Sequence, residues 1–280
     1  MRRNSLIAPV VKWVGGKRQL LDVFEPLFPR QVTSYCEPFL GGGAVLFKLQ
    51  PEVAYVNDIN SELIQMYEVI RDDVEGLIQA LSEHPNEKEH FYSVRDWDRD
   101  KAQYGELTKV QKAARTIYLN KTCYNGLFRV NNSGEFNAPF GRYKNPNIVN
   151  APVLRAVSGY FQNAQVTFSS ADYTETLGHL SEETFVYLDP PYDPVSGTAN
   201  FTGYAKGGFD QAEQIRLRQY CDELDGRGIR FMLSNSATEF IKELYASSPY
   251  NITIVKAKRA VNSNAARRGQ VDEVVVRNYE

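Results

Sequence analysis

Seven short runs of β-branched and aromatic residues recur along the chain, each bounded by turn signals. They lie at 34–39 (SYCEPF), 53–59 (VAYVNDI), 165–171 (QVTFSSA), 184–190 (TFVYLDP), 229–235 (IRFMLSN), 250–257 (YNITIVKA) and 272–279 (DEVVVRNY). Strands this apolar belong to a sheet covered on both faces. Helical patterns at 16–28, 43–49, 210–226 and 236–246 fall between them. Such alternation predicts an open α/β sheet. Ligands of these sheets bind outside the carboxyl ends of the strands, where the strand order reverses.

The alternation lapses between Ser61 and about Asn150. Four helical patterns (SELIQMYEVIRDD, GLIQALSEH, KEHFYSVRDWDRD, TKVQKAARTIYLNK) precede a Gly/Asn/Pro-rich segment there. Asn132-Ser133-Gly134, between LFRV and EFNA, is a hairpin signal. The economical reading is a mainly helical insertion over 61–150, carrying a β-hairpin, within a domain formed by 1–60 and 151–280. Its later part is locally basic. Lys109 to Pro146 holds seven Lys and Arg (109, 112, 115, 121, 129, 142, 144) against Glu135. A charge run is more often a solvated face than a phosphate site, so charge alone leaves both open.

A length of 280 residues suits one large domain, or one with an insertion. The net charge of −2 gives no general nucleic-acid coat. No apolar run nears the roughly 20 residues of a membrane helix, and the start MRRNSLIAPVVKW has too short an apolar stretch for a secretory signal. Three scattered cysteines (Cys36, Cys123, Cys221) argue for reduced thiols, against a disulfide framework or zinc site. A soluble, cytoplasmic protein that uses no metal is expected.

In EPFLGGGAVLF (37–47) a strand runs into Gly41-Gly42-Gly43 and then a helical pattern. Glycines there let the backbone approach a ligand. Asp58, at the end of the next strand, can accept from a ribose diol; alternatively it caps the following helix with Asn60 or Ser61. GxGxxG spacing is absent, which disfavours NAD and FAD. KWVGGKRQLL (12–21) lacks the P-loop spacing, which disfavours ATP. Trp13 could be core packing and Lys17 a surface charge.

VYLDPPYDP is more specific. An apolar strand is stopped by two prolines that cannot continue a sheet ladder, with Asp189 before them and Tyr192 after. The exocyclic amine of adenine or cytosine is a poor nucleophile, because its lone pair is delocalised into the ring. A carboxylate and a rigid carbonyl accepting its two N–H bonds would localise that pair. An adjacent tyrosine offers a face for the base. The bland reading is a structural X-Pro turn. No role for Asp193 follows.

With these strings assembled, the chain resembles the Dam-type, alpha-group DNA adenine-N6 methyltransferases over essentially its whole length. KWVGGKRQLL, EPFLGGGAVLF, NDIN, YNGLFRV, GEFNAPFGRYKNP, DPPY, TANFT and LSNS carry the resemblance, in the family's order. It implies a Rossmann-like S-adenosylmethionine-dependent methyltransferase fold with a target-recognition insertion. It implies that Trp13, Lys17, Glu37, Pro38, Phe39, Gly41, Asp58, Asp172 and Asp189 bind S-adenosylmethionine, leaving S-adenosylhomocysteine. Asp189, Pro190, Pro191 and Tyr192 correspond to the catalytic site that holds a flipped adenine. Lys12, Tyr124, Asn125, Leu127, Arg129, Pro139 and Tyr143 correspond to contacts with double-stranded DNA containing GATC. Arginine is the usual bidentate partner of guanine, and apolar groups meet the thymine methyl. Lys121, Arg142 and Lys144 are then expected on phosphates. The counterpart of AVNSNAARRGQ (260–270) is a loop of variable order, expected here to be mobile and to touch phosphates.

The sulfonium methyl is already electrophilic, so neither metal nor covalent enzyme intermediate is required. No cysteine follows a proline, which excludes cytosine-C5 chemistry. Two rival readings remain: a cytosine-N4 or RNA-adenine amino-methyltransferase, and a catalytically silent DNA-binding relative. The resemblance further implies a monomer, with a cognate restriction endonuclease as a candidate partner.

Overall fold

A computed structural model describes residues 3–194, 208–247, 249–258 and 270–280. TANFT (198–202), and 260–270 except its last residue, lie outside the described residues. The chain divides into two compact units. One comprises Met1–Gly16, Gly41–Gln50 and Asn60–Ser170; the other comprises Lys17–Leu40, Pro51–Ile59 and Ala171–Glu280. The stretch 61–150 lies entirely in the first.

The seven strands are β1 (Ser34–Glu37), β2 (Val53–Asn57), β3 (Gln165–Ser169), β4 (Thr184–Leu188), β5 (Arg230–Ser236), β6 (Asn251–Lys258) and β7 (Gln270–Arg277). Each falls on one of the apolar runs. All except β3 belong to the second unit, in the order β2-β1-β4-β5-β7-β6. β1 pairs parallel with β2 and β4, and β4 parallel with β5; β7 is antiparallel to both β5 and β6. The register Cys36↔Val186 sets the end of β1 beside the end of β4. Strand order reverses here, because β2 follows β1 to one side and β4 joins on the other.

Both faces of this sheet are covered, as runs without polar alternation require. On one, Cys36, Val186, Leu188, Phe231, Leu233, Val274 and Val276 pack against the helices Tyr173–Gly178, Gln211–Gly226 and Glu239–Ala246. On the other, Tyr35 and Phe28 meet Phe185, while Phe24 meets Tyr187. β4 is buried at every position. It stops at Leu188 because Pro190 and Pro191 have no N–H to offer a neighbour.

The first unit is mainly helical. Helix Lys109–Thr122 opens with a capping box between Thr108 and Gln111 and packs on helices Ser61–Asp72 and Val74–Ser82. Ser61–Asp72 also packs on helix Ala151–Asn163. It is capped by the Asn60 side chain, which accepts from Leu63 N–H at 3.0 Å, so the cap does not depend on Asp58. The sequence pattern assigns no helix to 101–106, 151–163 or 173–178, yet each is helical. In the second of these, Leu154, Val157 and Phe161 carry the buried face despite Gly159 in the interior, while Pro152 sits in the first turn, where its missing N–H is not needed. One of the seven basic residues counted above is internal. Arg115 is buried, pairs with Asp98 at 2.8 Å, and donates to the carbonyls of Val94 and Arg95. Its charge is neutralised within the unit and is not available to a phosphate.

Candidate functional site

In the second unit the polar groups gather where β1 and β4 end. Lys17, in the turn Lys17–Gln19, is buried at 3 % exposure; its Nζ stands 2.7 Å from Asp189 Oδ1 and 4.5 Å from the Tyr192 ring centroid. Ser234 of β5 donates to the same Oδ1 at 3.1 Å, so Tyr187 must donate in turn to Ser234, at 2.9 Å. Among the described residues Asp189 Oδ2 accepts no hydrogen bond, and neither does the Pro190 carbonyl. Two acceptors therefore stand at the strand end, with the Tyr192 ring two residues on. Burial pushes the Asp189 carboxyl above the usual carboxylate range; Lys17 and Ser234 oppose this without cancelling it.

The backbone that bears these acceptors is tied down by Gln214, which lies outside every motif named above, and by Asn235 and Ser236 of LSNS, for which no role was expected. Gln214 donates to the Pro191 carbonyl at 2.9 Å and receives from Asn235 at 3.0 Å. Asn235 accepts from Asp193 N–H at 3.1 Å, and Ser236 donates to the Asp193 carbonyl. Asp193 thus takes part through its backbone. Gln214, Asn235 and Ser236 are all buried, so these bonds form where water does not compete. Their sequence signal was available: Ser234-Asn235-Ser236 are three polar residues in an otherwise apolar strand, and buried polar groups need partners.

At the end of β2, Asn57 joins two further segments. Its amide donates to the carbonyls of Pro38 and Ala171, each at 3.1 Å, and accepts from Ala171 N–H at 3.0 Å; Leu40 N–H donates to its carbonyl. Pro38 and Phe39, which follow β1, are thereby linked to Asp172. Glu37 is buried and accepts from Tyr35 Oη at 2.9 Å. Asp58 follows Asn57 directly. Asp172 accepts from Thr174 and, at 3.1 and 3.2 Å, from Arg216. Burial alone would raise its carboxyl, but the Thr174 and Arg216 hydrogen bonds hold it below the usual value. Lys17, Glu37, Pro38, Phe39, Asp58, Asp172 and Asp189 to Tyr192 all belong to this unit.

The first unit holds Lys12, Trp13, Gly41 and the basic hairpin. Gly41 has φ +49°, and a Cβ there would stand 2.8 Å from Trp13 Cδ1, so only glycine fits without displacement. Trp13 stacks on Phe128 at 4.7 Å between centroids. Asn120 accepts from Lys12 N–H and donates to the carbonyls of Lys12 and Gly126. That pins the exposed Lys12 beside the turn Tyr124–Gly126, in which Asn125 takes φ +60°. Tyr143 Oη accepts from Asn125 N–H at 2.9 Å, and Tyr124 N–H donates to the Pro139 carbonyl at 2.8 Å. The hairpin closes irregularly through the bridge Val130↔Phe136 and the Asn131 N–H to Glu135 carbonyl bond. Phe128 and Phe136 point inward; Arg129 is exposed between Leu127 and Val130 and donates to the Asn137 carbonyl at 2.6 Å. Lys12, Tyr124, Asn125, Pro139 and Tyr143 are joined by direct or shared contacts, and Arg129 stands apart on the hairpin. Arg129, Val130, Asn131, Asn132, Ser133 and Asn137 line an open, polar depression.

The family model for D12 class N6 adenine-specific DNA methyltransferases matches residues 13–261. The chain is 40% identical over 282 residues to the Type II methyltransferase M1.LlaDCHI of Lactococcus lactis subsp. cremoris, covering 100% of this chain and 98% of the relative. It is 40% identical over 293 residues to the Type II methyltransferase M.MjaIII of Methanocaldococcus jannaschii, covering 98% and 99%. To the DNA adenine methylase of Escherichia coli K12 it is 34% identical over 280 residues, covering 98% and 95%.

Proposed function

The chain belongs to the D12 class of N6 adenine-specific DNA methyltransferases, and from that premise we propose that it methylates adenine within GATC, in duplex DNA, on a base turned out of the helix. The observation that carries the catalytic part is the pair of acceptors beside the Tyr192 ring, Asp189 Oδ2 and the Pro190 carbonyl, neither of which accepts a hydrogen bond among the described residues. Adenine N6 carries two N–H bonds and needs its lone pair freed from the ring. Asp189 and Pro190 accept those two bonds and Tyr192 stacks on the base. The Gln214–Asn235 bonds hold the loop so that little reorganisation accompanies transfer. N6 is paired inside a duplex, so extrusion precedes chemistry.

S-adenosylmethionine, when bound, supplies an electrophilic methyl on sulfur and departs as S-adenosylhomocysteine. Within the second unit, acidic side chains at the ends of β1 and β2 and before helix Tyr173–Gly178 suit the hydroxyl and amine donors of such a group. Trp13, Lys17, Glu37, Pro38, Phe39, Gly41, Asp58 and Asp172 would hold it. Transfer of that methyl from sulfur to N6 would leave N6 with one proton to shed. Asp189, already hydrogen-bonded to N6 and held above the usual carboxylate range, is placed to receive that proton.

Recognition is assigned to Lys12, Tyr124, Asn125, Leu127, Arg129, Pro139 and Tyr143, with Lys121, Arg142 and Lys144 on phosphates. Exposure of Lys12, Arg129, Pro139 and Tyr143 supports this. The chain acts as a monomer, and a restriction endonuclease of the same specificity is its partner, in keeping with relatives named Type II methyltransferases. Methylation of a plasmid followed by sequence-resolved detection of N6-methyladenine tests the whole reading. Modified adenine confined to GATC is expected. Another sequence would overturn the specificity, and methylcytosine or modified RNA alone would overturn the substrate. Asp189→Ala should abolish transfer while S-adenosylmethionine still binds; a near-normal rate would remove Asp189 from the mechanism.

A further inference from the structure

Stacking on a base requires a ring held in one plane. Rotation of a tyrosine ring about its last torsion is broad and only two-fold, so a ring fixed by its Cβ alone sweeps a wide range. Tyr192 has a second attachment. Its Oη donates to Glu273 Oε2 at 2.9 Å, across 81 residues of chain. A hydrogen bond to a carboxylate is about twice as strong as a neutral one.

The sheet explains how Glu273 reaches this place. β7 runs antiparallel to β5, so its beginning lies at the edge where the parallel strands end. There the register sets Glu273 opposite Ser236, and Ser236 donates to the carbonyl of Asp193, next to Tyr192. Tyr192 is thereby gripped twice from adjacent strands: through the backbone beside it by β5, and at its ring edge by β7. A phenylalanine would stack equally well but could not be gripped at its edge.

We infer that Glu273 is a positioning residue for base capture: it fixes the Tyr192 ring through the phenol hydroxyl, and it touches no reacting atom. This rests on the reading of Tyr192 as the base-stacking residue. The test uses the full-length protein and a GATC duplex with 2-aminopurine in place of the target adenine, whose fluorescence rises on unstacking. Parallel assays measure methylation of the unmodified duplex. Glu273→Ala is expected to weaken the fluorescence rise and raise KM for DNA by about tenfold, with S-adenosylmethionine affinity within about twofold of the unaltered protein. Glu273→Gln, which keeps an acceptor oxygen, should recover most of that loss. Tyr192→Phe should resemble Glu273→Ala, and the Tyr192→Phe/Glu273→Ala double variant should be no worse than the poorer single one. Losses that multiply in the double variant would overturn the inference, as would a Glu273→Ala protein that captures the base normally. Absence of methylation and of base capture by the unaltered protein would instead overturn the function proposed above.

Discussion

At the scale of single residues, Asp189 is set by a contest between burial and its partners. Burial raises its carboxyl, while Lys17 at 2.7 Å and Ser234 at 3.1 Å pull it back. The rate of transfer should fall as pH drops through this carboxyl's range, because the protonated form no longer accepts from N6. Lys17→Met removes the nearest positive charge. Single-turnover methylation at saturating cofactor should then show its acidic limb moved upward, by about 1–3 pH units for an opposite charge this close. An unmoved limb would deny Lys17 that influence. Arg129 is exposed on its hairpin and donates to the Asn137 carbonyl. If it reads a guanine, Arg129→Ala should relax discrimination at one base pair by about 1–3 kcal/mol. Equal losses on all singly substituted sites would make it a phosphate contact. Asn57, Gln214 and Glu273 show why residue roles are hard to read from sequence. Each is a polar residue, with polar neighbours in sequence, whose partner lies in a distant segment, and local sequence does not contain that pairing.

At the scale of elements, the helices Val74–Ser82, Lys88–Arg95 and Lys109–Thr122 enclose a pair of imidazoles. His84 Nδ1 lies 2.9 Å from His90 Nε2, and His84 stacks on Tyr118 at 4.7 Å. Burial, then the neighbouring His90, bring His84 down from 6.5 to about 4. The folded form thus binds this proton less readily than the unfolded chain. Between those two values the unfolded state carries more protons, so stability rises with pH. The contribution is complete above about 6.5 and is lost as pH falls towards about 4. Thermal melts should fall over that window, and His84→Asn should flatten the fall; an unchanged profile would place the effect elsewhere. Elements whose apolar face is unbroken were legible in the sequence. Helix Ala151–Asn163 was not, because Gly159 weakens its interior preference and packing against Ser61–Asp72 makes up the difference.

For the molecule as a whole, all three cysteines are buried, and burial pushes their thiols up, Cys123 and Cys221 to about 12. A thiolate is therefore exposed only on opening of the fold. An aromatic disulfide reagent should leave the native protein unlabelled while titrating three thiols in guanidinium; rapid native labelling would contradict the packing. No helix among the described residues is long and apolar enough to cross a membrane. The sequence by itself determined the seven strands, the class of the sheet and the strand that stops at Asp189-Pro190-Pro191-Tyr192. Apolar runs, glycines and prolines act through the conformation of their own few residues. Only the tertiary structure decided that β7 turns back between β5 and β6, that Arg115 is an internal charge, and that Gln214, Asn235 and Glu273 hold the segment Pro191–Asp193. Those are contacts between residues far apart in the chain, and they exist only once the strands have taken their order.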